Sequence, residues 1–174
     1  MPDYELTVVK TLDYKRPEIK KGYADQTLSV NISNQEMTIK PVEPKIRDIF
    51  VGGKGYDLWL LWNAVESTTG WNDPANAICI ASGPLGGTPI YPGSGKSIVT
   101  SLSPLTGSVI DSNVGGYFGP YLKFSGFDAL QIQGKTSQDT VIYIDGIEEQ
   151  IQILEADGLP DNAYALSDLL TGHF

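Results

Sequence analysis

The chain has 174 residues, with 12 basic against 21 acidic side chains, a formal net charge of −9 and a sequence pI near 4.4. That length suits one domain with a real core, the 41% hydrophobic content is too high for disorder, and the acidic balance excludes a broad electrostatic footprint for nucleic acid. Cys79 is the only cysteine and His173 the only histidine, so the chain holds no disulfide framework, no self-contained iron–sulfur or zinc site, and no Ser/His/Asp triad except through its penultimate residue.

The first residues, MPDYELTVVKTLDYKRPEIKKG, contain no long apolar run, so they do not read as a signal peptide. No stretch approaches the roughly 18 consecutive apolar residues of a membrane span. A cytoplasmic setting without a membrane partner is the expectation. Residues 1–24 read as a polar arm or extension that could wrap a partner, and 25–174 as the folded domain.

Leu28, Val30 and Ile32 alternate with polar residues, Asn34 offers a turn, and Met37 and Ile39 resume the alternation. This predicts a β-hairpin, closed by Pro41 and Pro44. Gly52-Gly53-Lys54-Gly55 then precedes YDLWLLWNAVES, where Leu58, Leu61, Trp62 and Val65 fall at helical spacing. A glycine-rich turn before a helix can hold an anion, but neither a P-loop nor a dinucleotide-binding spacing is present.

Short strands are predicted over 77–81, 98–100, 108–110 and 129–133. Asp111-Ser112-Asn113 reads as a turn, and Asp128 as a structural residue at a strand entrance. Cys79 lies in the apolar run AICIAS and reads as a small buried hydrophobe. Val141–Ile144 and Ile147–Leu154 flank Asp145-Gly146, the signal of a hairpin with a two-residue type I′ turn. Residues 159–171 read as a helix carrying Leu166, Leu169 and Leu170. Strands joined by Gly/Pro/Ser loops predict an α+β, β-rich fold with mixed sheets and about three helices, not a doubly wound one.

Eleven of the nineteen glycines lie between Gly83 and Gly134. Asp111 and Asp128 are the only carboxylates of that block. A surface rich in main-chain donors and hydroxyls, and poor in acid or base groups, suits holding a polar cofactor better than transforming a substrate. Lys96, in GSGKS, can offer a cation to an anionic cofactor atom.

The block SGPLGGTPIYPGSGKSIVTSLSPLTGSVIDSNVGGYFGPYLKFSGFDALQIQGK resembles the N-terminal domain of tungsten-containing aldehyde:ferredoxin oxidoreductases, most closely over 103–128. FVGGKGYDLWLLW upstream and VIYIDGIEEQIQI downstream are similar to flanking parts of that domain, so the resemblance covers roughly residues 25–155. It implies two curved sheets related by a pseudo-twofold, forming a saddle under a bis-pterin cofactor whose tungsten (or molybdenum) is held by dithiolene sulfurs. It also implies cofactor contacts from Gly95, Lys96, Asn113, Val114, Gly115 and Gly116. The Asn113 backbone carbonyl would serve as a ligand to a magnesium ion bridging the pterin phosphates.

Lys96 stands where the family usually has an arginine, keeping the charge without the planar fork. The sequence stops at Phe174, before the family's next pterin segment, and with one cysteine it cannot bind a [4Fe–4S] cluster. The resemblance therefore implies a small subunit of a split oxidoreductase, not catalytic alone. A large partner subunit would carry the [4Fe–4S] cluster and the substrate pocket. The complex would oxidise aldehydes to carboxylic acids and pass electrons to ferredoxin or further electron-transfer subunits. The alternative is a non-catalytic scaffold that keeps the domain's shape and binds no cofactor.

Overall fold

The computed structural model describes residues 4–174. Its elements in chain order are β1 (Glu5–Asp13), β2 (Gln26–Asn31), β3 (Glu36–Pro41), α1 (Pro44–Phe50), α2 (Lys54–Ala64), β4 (Ala77–Ala81), β5 (Ser97–Leu102), β6 (Val109–Val114), α3 (Phe118–Phe124), β7 (Ala129–Gln133), β8 (Asp139–Asp145), β9 (Gln150–Asp157) and α4 (Ala163–His173). The fold is α+β with two sheets, as expected. A six-stranded sheet runs β3-β2-β7-β4-β5-β6 and a three-stranded sheet runs β1-β9-β8. The large sheet is mixed, because β2 and β7 pair in parallel while its other neighbours are antiparallel. The small sheet is antiparallel throughout, since it is the β8–β9 hairpin with β1 laid along it.

Strand alternation divides the core in two. On one face of the large sheet, Ala77, Cys79, Ala81 and Ala129 are small, which lets α2 pack close through Tyr56, Leu60 and Leu61. On the other face, Leu28, Val30 and Leu130 meet Ile151 and Ile153 of β9, with Leu122 and Phe127 closing the cluster. The order is thus helix, large sheet, small sheet, with α3 beside the small sheet.

Several expectations are corrected. The apolar face of α2 is not Leu58–Leu61–Trp62–Val65: Tyr56, Asp57, Leu60 and Leu61 are buried and Trp62 is 84% exposed. The helix is rotated because Asp57 bonds to Thr100 of β5, a polar anchor that counting apolar residues cannot see. Asp111-Ser112-Asn113 is strand, not turn, and the Asp111 carboxylate pairs with Lys54 at 2.7 Å. The β8–β9 loop is not a two-residue turn, since Asp145 pairs with Gln150. Its carboxylate instead accepts from the Ile147 and Glu148 amides at 2.8 and 2.9 Å, and Glu149 takes the left-handed conformation at φ 55°. The two helices not located in sequence, α1 and α3, are seven residues each, too short for a clear periodic signal.

Much of the segment read as an arm pairs along β9 as an edge strand, with Val9, Leu12 and Tyr14 partly buried against the core. Glu5–Asp13 forms β1, and beyond it the Tyr14 hydroxyl donates to the Ser125 carbonyl at 2.7 Å. The Tyr14 ring lies 5.1 Å from that of Phe127. Burial pushes the Tyr14 hydroxyl up to about 12, so it stays a donor at neutral pH.

Candidate functional site

The residues singled out in sequence come together at one end of the β5–β6 pair. Ser97 is in register with Val114 and Ile98 with Asn113, so Gly95-Lys96 enters β5 where Gly115-Gly116 leaves β6. The two glycine segments touch: a Cβ placed on Gly95 would sit 2.5 Å from the Gly116 carbonyl oxygen. Gly116 also has φ 113°, which side-chain-bearing residues rarely adopt. A Cβ on Gly115 would lie 3.3 Å from Lys96 Nζ, so the lysine spans bare backbone.

Lys96, Asn113, Val114, Gly115 and Gly116 are all exposed, and Gly95 half-exposed. Among the described residues Lys96 makes no ion pair, and the Asp111 carboxylate further along β6 is paired with Lys54. The result is a side-chain-free ledge of backbone with a single uncompensated cation over it. Exposed apolar and aromatic side chains flank it in sequence: Ile90, at 91% exposed, and Tyr91 precede Lys96 on its loop, and Tyr117, Phe118 and Tyr121 follow Gly116. Between α3 and β8 runs a groove of about 170 Å³ lined by Phe118, Tyr121, Leu122, Ser125, Ile142 and Ile144.

Residues 83–96 form the loop that carries Lys96. The loop closes on itself through Gly87 N–H to the Ser94 carbonyl at 2.9 Å. Beneath it sit two charged groups whose role sequence reading missed or left general. Lys123 is 2% exposed, and its ammonium donates to the carbonyls of Gly22 at 2.7 Å and Gly83 at 2.6 Å. Asp128, 3.7 Å from it, accepts the Ala24 and Asp25 amides at 3.0 and 2.8 Å. Burial lowers the Lys123 pKa and raises that of Asp128, and the hydrogen bonds and mutual attraction oppose both shifts. The signal for this pair was the lysine inside the apolar run YLKF, five residues before Asp128.

Asp57 is the second buried acid. It is fully buried, one carboxylate oxygen has no partner, and the Thr100 hydroxyl meets the other at 3.3 Å. Desolvation pushes its pKa up to about 8, against the opposing pull of Thr100 and the Ala81 amide. Burial thus favours the neutral form of Asp57, which lies within the core, not on the ledge. Cys79 is fully buried and burial raises its thiol pKa, so it is an inert core residue as expected. His173 is exposed on α4 and bonds Tyr4 at 3.2 Å. Among the described residues no three His, Cys, Asp or Glu side chains cluster to hold a metal, and no helix is long and apolar enough to cross a membrane.

The ledge lets another group approach the main chain closely, with Lys96 supplying a positive charge. It contains no general acid or base, so chemistry must come from whatever it holds or from what closes over it.

Comparison with known proteins gives this site a context. Residues 27–174 match the family described as aldehyde ferredoxin oxidoreductase, N-terminal domain. A tungsten-containing aldehyde ferredoxin oxidoreductase of Pyrococcus furiosus is 36% identical over 129 residues, 74% of this chain and 21% of that protein. An aliphatic sulfonate oxidoreductase, WOR-like subunit, of the same organism is 30% identical over 126 residues, 71% of this chain and 20% of that one. The chain thus spans about a fifth of the length of these relatives. The solved active site complex BamBC of benzoyl coenzyme A reductase, in complex with 1,5-dienoyl-CoA, has the same fold. Its TM-score is 0.80 at 24% identity, over 87% of this chain and 23% of that one. By the match over 27–174 and these relatives, the chain belongs to the aldehyde ferredoxin oxidoreductase N-terminal domain family of oxidoreductases.

Proposed function

We propose that this chain supplies one wall of a tungsten (or molybdenum) bis-pterin site in an aldehyde-oxidising complex, and that other polypeptide supplies the opposite wall. The convergence of Gly95-Lys96 with Asn113–Gly116 on a bare backbone ledge carries this reading. A pterin bearing phosphate fits the donor set: glycine lets it approach the main chain, and Lys96 meets its negative charge without a competing carboxylate. Gly95, Lys96, Val114, Gly115 and Gly116 would hold it, and the Asn113 backbone carbonyl would offer an oxygen ligand to a magnesium ion. When bound, such a group supplies two-electron redox chemistry. The chain's own residues bind, orient and keep water away from one side.

The [4Fe–4S] cluster belongs to the partner in this reading, because Cys79 is single and buried. The aldehyde pocket and the route to ferredoxin or further electron-transfer subunits lie there as well. The exposed aromatic and aliphatic side chains fit a surface closed by a large partner. The test is tungsten or molybdenum content per chain in the purified assembly, for the natural sequence and for Gly115→Val. Valine there displaces Lys96 and fills the ledge, so metal content is expected to fall severalfold while the assembly persists. Metal absent from the natural assembly supports the scaffold reading, and an unchanged content in Gly115→Val places the cofactor elsewhere.

A further inference from the structure

The loop 83–96 has to be held at both ends if Lys96 is to stay over Gly115. Its end is held by the approach of Gly95 to the Gly116 carbonyl. Its start is held by a device that uses no surface residue. The Gly83 carbonyl accepts from the Gly86 amide at 2.9 Å and from Lys123 Nζ at 2.6 Å, so both its lone pairs are engaged. The same ammonium takes the Gly22 carbonyl, and Asp128 beside it takes the Ala24 and Asp25 amides. Gly22 in turn lies so close to the Pro84 carbonyl that any Cβ would run into it. A third segment joins from α2's cap, where the Gly53 amide donates to the Ser82 carbonyl at 3.1 Å.

Two chain segments far apart in sequence, at Gly22 and Gly83, thus meet at one buried ammonium carried on the last turn of α3, and the α2 cap joins beside them through Ser82. The first turn of that helix carries Gly119, packed under Ser97 and the Lys96 carbonyl. One short helix touches both ends of the loop.

We infer that Lys123 is a positioning residue for the cofactor ledge: its ammonium pins the start of the 83–96 loop and so sets where Lys96 stands relative to Gly115. The inference rests on the cofactor reading for its purpose, but not for its measurement. A buried ammonium donating to two carbonyls and facing a carboxylate cannot be mimicked by an apolar side chain. Its loss leaves Gly83, Gly22 and Asp128 short of a donor together.

Backbone hydrogen exchange, read by mass spectrometry on the chain as purified, tests this directly. In Lys123→Met, peptides covering 83–96 and 20–25 are expected to exchange about tenfold faster or more, with β8 and β9 peptides unchanged. Ile151→Val, in the buried core of β9, is the control for global loosening. If the loop speeds up no more than it does in that control, the proposal is overturned. Should Lys123→Met not fold, Gly22→Ala opens the same junction from the other side with Lys123 intact. It is expected to quicken exchange in the same 83–96 peptides, and an unchanged loop overturns the proposal. Absence of metal from the natural assembly would sink the cofactor reading and leave this exchange result standing on its own.

Discussion

At the scale of single residues, Asp57 makes the plainest claim. Its folded pKa, about 8, lies well above the ordinary carboxylate value of 3.8, so the folded chain binds a proton that the unfolded chain releases. The contribution is full below the unfolded value and fades as pH rises from about 4 to about 8. Asp57→Asn removes that slope. The expected outcome in urea unfolding is a variant whose midpoint, relative to the natural sequence, improves on going from pH 5 to pH 8. An unchanged difference would show that Asp57 is ionised in the fold. Lys96→Ala is expected to leave the unfolding midpoint where it is, because the side chain is exposed and makes no ion pair among the described residues, while lowering metal content of the assembly. Lys96, Asn113 and the glycines were singled out in sequence by a local motif, and the β5–β6 register brings them to one end of that pair. Asp57 and Lys123 were not, since their meaning lies in partners at Thr100 and at Gly22, which spacing alone does not bring near.

Elements show the same division between local and distant causes. The β2–β3 and β8–β9 pairs follow from alternation within a few residues, and β4 and β7 match their predicted ranges residue for residue. What failed was set elsewhere in the chain: β1 exists because β9 offers it an edge, and α2 turns its Trp62 outward because Asp57 is anchored on β5. The helix α4 buries no residue and depends on its cap, where the Asn162 side chain accepts from the Tyr164 and Ala165 amides at 2.9 and 3.2 Å. Phe174 at its end stacks on Tyr143 of β8 with ring centroids 4.0 Å apart. Asn162→Ala is expected to weaken α4 by about 1 kcal/mol. Hydrogen exchange within 163–173 reads this as faster opening there, with the large sheet unaffected; slowing or spread to β7 would contradict a locally held helix.

On the scale of the whole molecule, the surface around the ledge is unusual for a domain that stands by itself. Ile90, Tyr91, Tyr117, Phe118 and Tyr121 are exposed on the segments that flank the ledge in sequence, and the chain spans only about a fifth of its relatives' length. Half a cofactor site exposed to water would lose both the dry surroundings and the second set of contacts that a redox cofactor needs. The ledge, the exposed apolar side chains and the share of the relatives' length are what support the proposal that other polypeptide completes this wall. Combined intact-mass and metal analysis of the assembly purified under native conditions tests this most directly. The expected result is this chain together with a larger polypeptide and a pterin-bound tungsten or molybdenum. A stable, metal-free chain with no larger polypeptide attached would contradict it.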